Sequence, residues 1–415
     1  MKSTLATLCL TAVVTALQAQ SAVADQGSTV DVVYFWTSKS EEAALDVYRQ
    51  AWRQDGNHWI DLPSVNEAAL QRTVSERIAH GYPPAVMQWV VDTSARELPD
   101  FGVVQSIDTI AQEDGWHDRL PAFILERISH QDEIYFVPSN LHTENWIWTS
   151  KHIFNELNLS VPQTWDDIFA AADLIKQAGY TPISLGDGSW EISLIFHNIL
   201  YAVMGAAAFE KILNGDADAV LDPAMLDTLN LLRRISHYVE PKPSRTGKSW
   251  ADATAMIGSG QAGMQFMGDW AKGELISLGY QAGKGFDCAI TPGTMMPYFM
   301  VVDAFAFPLT AREEDLQAQL SFARMVFDPQ NQVEFSRIKG SLPVRTDVDP
   351  RGLDHCAQLG LQQLQQEKQM TDVHTRSMPS HLMAAWTNIL AEFFNDTTML
   401  STDAQQQLHE AIKQS

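Results

Sequence analysis

The residues of this chain best suited to chemistry are tryptophans that stand beside carboxylates, amides or turn glycines. Trp36 precedes Glu41 in "FWTSKSEEAAL", Asn145 precedes Trp146 in "ENWIW", Trp190 and Glu191 close "GDGSWE", and Asp269 and Trp270 share "GDWAKGE". An indole face packs against the C–H face of a pyranose ring, while adjacent Asp, Glu, Asn, Lys or His side chains bond the ring hydroxyls. Small-molecule sites join apolar walls to a few convergent polar groups in this way. All 12 tryptophans lie at or beyond position 36, so the excess belongs to the body of the chain.

Each of these residues also has a plainer reading. A tryptophan inside a strand, such as Trp148, or on a helix face, such as Trp52, is explained by burial of its large surface. The same holds for Phe35, which alternates in direction with Trp36 along an extended segment. Trp270 is different, because a strand that ends in Gly-Asp-Trp at the start of a helix forms a loop rim, where open α/β sheets bind ligands. Lys339 and His381, taken by composition alone, read as surface or internally satisfied polar residues.

Signatures of enzyme chemistry are missing. The chain has no G-x-x-x-x-G-K phosphate loop and no H-E-x-x-H helix. It has no G-x-S-x-G nucleophile elbow. Its cysteines form no C-x-x-C pair of the kind that opens a zinc site. The net charge of −23 repels phosphate backbones and anionic membrane surfaces, which argues against nucleic-acid and peripheral lipid binding.

The elements that must position these residues follow an N-terminal leader. Lys2, an apolar stretch from Leu5 to Leu17, and Ala22-Val23-Ala24 before Asp25 have the grammar of a secretory signal peptide over residues 1–24. Leu8 precedes Cys9 where a lipoprotein signal carries Gly or Ala, so no lipid anchor is expected. Cys288 and Cys356 remain; an even count in an oxidising compartment suggests a disulfide, against the alternative of two separate buried thiols.

Beyond the leader, apolar runs alternate with helical patterns. "VDVVYFW" precedes "SEEAALDVYRQAW", and "AALQRTVSERIAHG" leads into "PPAVMQWVV". A second series has strand-like "EIYFVPSNL" and "NWIWTSKHIF", then the helix "TWDDIFAAADLIKQAGY" with Thr164 and Asp167 spaced as a capping box, then "TPISLG". The pattern predicts an α/β protein of two lobes, each built on βα units around a largely parallel sheet. The later strands "AGMQFMG", "FDCAITP" and "VDAFAFP" are too few for a third domain and return the chain to the lobes already built.

Five segments in order, "FWTSKSEEAAL", "PPAVMQ", "VPQTWDDIFAAADLIKQAGYTPISLGDGSWE", "GMQFMGDWAKGE" and "FSRIKGSLPVR", carry a family resemblance across the whole mature chain. The chain resembles the periplasmic sugar-binding proteins of bacterial ABC importers, in the solute-binding family that includes maltose-binding protein, and most of all its glucose-binding branch. The resemblance implies a two-lobe periplasmic binding protein fold with a hinge and a ligand cleft between the lobes. It places chain crossings near Pro138, Thr291 to Met300 and Gly340 to Pro343. Lobe 1 would hold residues 25–138 and 292–340; lobe 2 would hold 139–291 and 341–415 with the C-terminal helices.

The resemblance further implies a sugar site formed by Phe35, Trp36, Glu41, Trp190, Asp269, Trp270, Asp303, Lys339 and His381. Three positions depart from the branch: Phe35 stands where it often has Trp, Lys39-Ser40 replaces Gly-Gly, and Trp89-Val90 follows "PPAVMQ" where it often has Lys. The expected protein is a monomeric periplasmic receptor without catalytic activity or cofactor. It would bind a monosaccharide or small oligosaccharide, a glucose-like hexose foremost, and deliver it to permease subunits in the inner membrane. A secreted glycosidase and a receptor for a polyamine are the competing readings, since both also use carboxylates beside indoles.

Overall fold

The computed structural model describes residues 27–293, 296–349, 353–365, 370–372 and 379–414. The leader expected over residues 1–24 lies outside them.

The first sheet opens with β1 (Thr29–Tyr34), whose Val30, Val32 and Val33 are buried. It pairs in parallel with β2 (His58–Pro63) on one side and β3 (Val86–Val90) on the other. The crossover between β1 and β2 is α1 (Lys39–Gln54). A short hairpin, β4 (Ser129–His130) and β5 (Glu133–Ile134), precedes the eight-residue β6 (Phe136–Thr143).

The chain then changes sheet. β7 (Trp146–Ser150), β8 (Thr181–Ile183), β9 (Ala262–Phe266) and β10 (Phe286–Ile290) form a second sheet in the order β10-β7-β9-β8. β11 (Tyr298–Ala306) returns to the first sheet and lies antiparallel to both β3 and β6, with β12 (Met370–Asp372) parallel along its edge. The helices around the second sheet include α2 (Trp165–Gln177), α3 (Ser189–Leu213) and α4 (Trp270–Ser277). α5 (Glu313–Phe327) and α6 (Pro329–Lys339) belong to the first lobe, and α7 (His355–Leu364), α8 (Ser380–Asn395) and α9 (Ser401–Lys413) follow.

Two separate apolar cores make the two lobes. One gathers Val32, Trp52, Phe305, Phe322 and Phe335 around the first sheet; the other gathers Trp146, Trp148, Phe169, Phe196 and Trp386 around the second. α3 is apolar and long enough to cross a membrane, yet most of it is buried in the second core, which accounts for its composition. Trp52 and Trp148 are core residues, as burial alone predicts. The capping box expected at the start of α2 is present, with Thr164 and Asp167 exchanging hydrogen bonds.

The strands depart from the expected pattern in three ways. Both sheets are mixed: β11, which re-enters the first sheet, runs against β3 and β6, and β7, the strand that enters the second, runs against β9 and β10. The strand expected to continue through "SKHIF" stops at Ser150 and turns helical, since Ile153 and Phe154 are adjacent and both buried, which an alternating strand does not allow. Pro138, the expected first crossing, lies inside β6. It falls opposite Ala304, where a bulge between Asp303 and Ala304 relaxes the ladder, and a bulge is one of the few strand positions where proline is tolerated.

The chain leaves the first sheet only after Thr143. Asn145 fastens this crossing to the next one: its side chain accepts from Thr143 Oγ1 at 2.6 Å and donates to Pro297 O at 2.7 Å, just ahead of β11. Gly340 ends α6 at a φ of 90°, and a side chain there would meet Asp269 O at 2.5 Å. Only glycine meets both demands, and the turn lets Leu342 pair with Leu141 of β6.

Cys288 of β10 and Cys356 of α7 are bonded as a disulfide across a sequence separation of 68 residues. The bridge holds α7 against the second lobe after the chain has passed through β11, α5 and α6. Replacing both cysteines with serine is expected to lower unfolding free energy by about 2–4 kcal/mol, the usual range for a closed loop of this kind. Guanidinium unfolding with and without reductant measures it: the reductant should destabilise the native protein and leave the double variant unchanged.

Candidate functional site

The site is assembled where the strands end and the two lobes meet. At the C-terminal end of β1 the Phe35 N–H donates to Gln88 Oε1 of β3 at 2.9 Å, which fixes the turn that follows. Ser38 caps α1, and Glu41 completes the capping box by accepting from the Ser38 N–H at 3.1 Å. This leaves Glu41 Oε1 to accept from Lys339 Nζ at the end of α6, at 2.7 Å, in a buried ion pair. Trp36 lies beneath it with only 1% of its surface exposed, against Phe305 and Phe335, and the Lys339 ammonium stands 5.4 Å from its ring centre.

A second charged group adjoins the first. Asp303 projects from β11 at the bulge, a feature that re-aims side chains beside functional sites. Its Oδ2 accepts from Asn140 Nδ2 of β6 at 3.3 Å and lies 3.3 Å from His142 Nε2. The other ring nitrogen of His142 bonds Asp269, on the turn between β9 and α4. All four side chains are at least nine-tenths buried. Burial disfavours an Asp303 carboxylate, but the adjacent His142 ring and its charge, the charge of Lys339 and the Asn140 amide outweigh it and hold the pKa below the ordinary carboxylate value. His142 is displaced the opposite way: burial opposes its charge, yet Asp269 and Asp303 raise its pKa.

The accessible indoles stand on the second lobe. Trp270, the first residue of α4, presents its ring edge-on to His142 with centroids 5.2 Å apart, and Trp190 lies 6.2 Å from Trp270. A side chain at position 268 would strike the Trp270 ring at 2.3 Å, so Gly268 is what lets that ring fold back over the strand end. Trp190 is 41% exposed at the first turn of α3.

Its neighbour Glu191 organises the loop. The buried carboxylate accepts from Gly186 N at 2.9 Å and Gly188 N at 3.3 Å. Burial pushes its pKa up to about 7, with the two N–H groups and the charge of Arg245 pulling the other way. A carboxyl raised above its ordinary value of 4.5 favours the native state below that value, and the contribution is lost as pH rises through about 7. Glu191→Gln, which keeps an acceptor and cannot ionise, is therefore expected to flatten the fall in melting temperature between pH 5 and 8. The stability involved is on the order of 2–3 kcal/mol. An unchanged pH profile in the variant would contradict this reading.

The structure thus links Trp36, Glu41 and Lys339 in one set of contacts, and Asp303, His142, Asp269, Trp270 and Trp190 in another, with Lys339 acting on Asp303 to join the two. Phe35 is half-buried at the rim of the first core and contributes its backbone. His381 is exposed at the start of α8, and no described hydrogen bond or ion pair ties it to the others. Trp146, singled out beside Asn145, is a core residue stacked on Trp148 at 5.4 Å.

Sequence reasoning missed Asn140, His142 and Gln88. Each is a polar residue inside a strand whose every position is buried, and that mismatch is the signal that could have found them. Gln88 Nε2 is buried and has no hydrogen-bond partner among the described residues, which leaves a donor at the strand ends. Together these groups offer carboxylate acceptors, ammonium and amide donors, and indole faces, a set matched to a polyhydroxylated ring.

Comparison with known proteins gives the family and the fold. The model of the bacterial extracellular solute-binding protein family matches residues 21–332. A probable sugar-binding periplasmic protein of Brucella melitensis is 28% identical over 398 residues, covering 94% of this chain and 93% of its own. A protein of the same description from Rhizobium meliloti is 29% identical over 356 residues, 85% of each chain. The maltose-bound MalE3 of T. maritima superposes with a TM-score of 0.77 at 14% identity, over 93% of this chain and 99% of that one, a likeness of fold. With its two lobes, paired crossings and a family match over most of its length, this chain belongs to the bacterial extracellular solute-binding proteins.

Proposed function

We propose that this protein is the periplasmic sugar receptor of an ABC importer. It captures a monosaccharide or small oligosaccharide, a glucose-like hexose foremost, between its lobes and presents it, as a monomer and without catalysis, to permease subunits in the inner membrane. The observation that carries the reading is the accessible Trp190–Trp270 pair of the second lobe, set beside a buried series of carboxylates and cations that runs into the first. The names of the Brucella and Rhizobium relatives support it.

The mechanism is a shift of population between lobe arrangements, driven only by contacts that the ligand makes with both lobes at once. The indoles of Trp190 and Trp270 stack on the ring from the second lobe. Glu41, Asp303 and Lys339 bond its hydroxyls from the first lobe, and Asp269 does so from the second. Trp36, enclosed under Lys339, holds that ammonium in place.

A thermal-shift panel of the mature protein tests the proposal, with glucose, galactose, mannose, xylose, short oligosaccharides and putrescine. A ligand at 100 times its dissociation constant adds about 2.7 kcal/mol of stability, a visible rise in melting temperature. A rise with a sugar and no release of nitrophenol from aryl glycosides is the expected result. A rise with putrescine alone would make the protein a polyamine receptor, and glycoside turnover would make it a glycosidase.

A further inference from the structure

Three clusters of charged or metal-ligating side chains lie outside or beside the sugar-contacting set. A surface cavity between Arg119, Arg324 and Arg345 has its guanidinium groups already bonded to Glu113, Asp114 and Asp347. His355 beside Cys288 and Cys356 is a metal-like grouping whose two thiols are consumed by the disulfide. His142 is the third, and nothing occupies or explains it away.

His142 lies two residues before the first change of sheet, on β6 of the first lobe. Its Nδ1 bonds Asp269 of the second lobe, and its Nε2 lies 3.3 Å from Asp303 Oδ2 of the first lobe, an ion-pair distance without hydrogen-bond alignment. The ring is 2% exposed, and the Trp270 indole stands perpendicular to it at 89°. Asp269 is held in turn by the Thr143 N–H at 3.3 Å, so one histidine and its neighbour grip the same carboxylate across the crossing.

We propose that His142 is a positioning residue: an imidazolium bridge between Asp269 and Asp303 that ties the lobes beside the hinge and fixes the Trp270 platform for the sugar. The inference rests on the receptor reading for its ligand, but the bridge itself does not. The charged and titratable groups that face His142 are Asp303 from β11, with Asn140 beside it and Lys339 of α6 behind, and Asp269 from the turn before α4. Tyr48 lies within the field of Asp303 and Tyr298 within that of Asp269; burial first and those charges second push both phenols well up, so neither ionises in the working range.

A buried neutral imidazole would leave two carboxylates facing each other with one proton donor between them. The charged ring is attracted by both carboxylates, each of which favours the imidazolium, which is why its pKa rises in spite of burial. The sign follows. The contribution of His142 to the native state is full below the ordinary histidine value of 6.5 and is lost as pH rises through its higher midpoint. That of Asp303 is present above the ordinary carboxylate value and is lost as pH falls through its lowered one. The bridge is therefore intact between those two limits.

The experiment is an NMR titration of the histidine ring protons in the wild-type mature protein, with the His142 signal identified by its loss in His142→Gln. Its midpoint is expected above that of free histidine, and Asp269→Asn and Asp303→Asn should each move it downward. A wild-type midpoint at or below free histidine, or one indifferent to both substitutions, overturns the bridge; sequence-specific assignment of the ring protons in the wild type identifies the signal should His142→Gln fail to fold. Glucose, galactose, xylose and maltotriose are then titrated from pH 6 to 9. Wild-type affinity should weaken by up to about tenfold per pH unit above the midpoint, the limit for one proton, while His142→Gln binds weakly at every pH. A pH-independent wild-type affinity removes His142 from the positioning of the site. No binding of any probe, with the raised midpoint intact, refutes the receptor reading and leaves the bridge standing.

Discussion

Replacing Lys339 with methionine is expected to cost the protein about 3–5 kcal/mol of stability and to abolish measurable sugar binding. The ammonium is buried, 2.7 Å from Glu41, and methionine fills its volume while leaving that carboxylate with the Ser38 N–H but without its cation in a dry setting. Breaking a buried pair by removing one member is costly for this reason, whereas removing both charges together is often close to neutral. Glu41→Gln combined with Lys339→Met should therefore recover most of the lost unfolding free energy. It should not recover affinity, because the sugar would then face neither charge. Denaturant unfolding and calorimetric titration on the three variants separate the effects; affinity that returns with stability would show the pair to be structural only.

Trp270→Ala has the second largest expected effect, on binding. Half of an indole, about 100 Å² of apolar surface, would be covered by a pyranose face, and at about 25 cal/mol per Å² its loss weakens affinity by roughly 2.5 kcal/mol, or about 70-fold. Trp270 is only partly buried, so stability should change less than in a core variant. Trp148→Phe supplies the contrast: that ring is fully buried in the second core, bonded through Nε1 to Met267 O at 3.0 Å, and its loss should lower the melting temperature with little change in affinity. Equal effects of the two substitutions on affinity would remove Trp270 from the platform.

The two-lobe α/β class was legible in the alternation of apolar runs and helical patterns, and the helix starts in their caps, as Thr164 with Asp167 illustrates. Sheet direction was not, because whether β6 and β11 run with or against β3 depends on how often the chain passes between lobes, and periodicity carries no record of that. The resemblance put the first crossing near Pro138, whereas β6 stays paired with β11 as far as Thr143, a pairing that no local pattern in the sequence records.

The site shows the same division. Trp270 and Asp269 stood out because Gly-Asp-Trp at a strand end is rare chemistry in a telling place. Trp36 was conspicuous for the same reason, yet its ring is enclosed by Phe305 and Phe335, which lie about 270 to 300 residues away in sequence and could not be placed beside it from pattern. His142 carried no motif. Only the register that sets it across from Val301, two residues before Asp303, brings its ring to the carboxylate.

Calorimetric titration of the wild-type mature protein with glucose, galactose, xylose and maltotriose, each repeated with putrescine in excess, tests the receptor assignment most directly. Saturable binding of one of these sugars at one site per chain, undisturbed by putrescine, is the expected result. Saturation by putrescine with no heat from any sugar would contradict it, and would make the indoles and carboxylates of this cleft a cage for a cation.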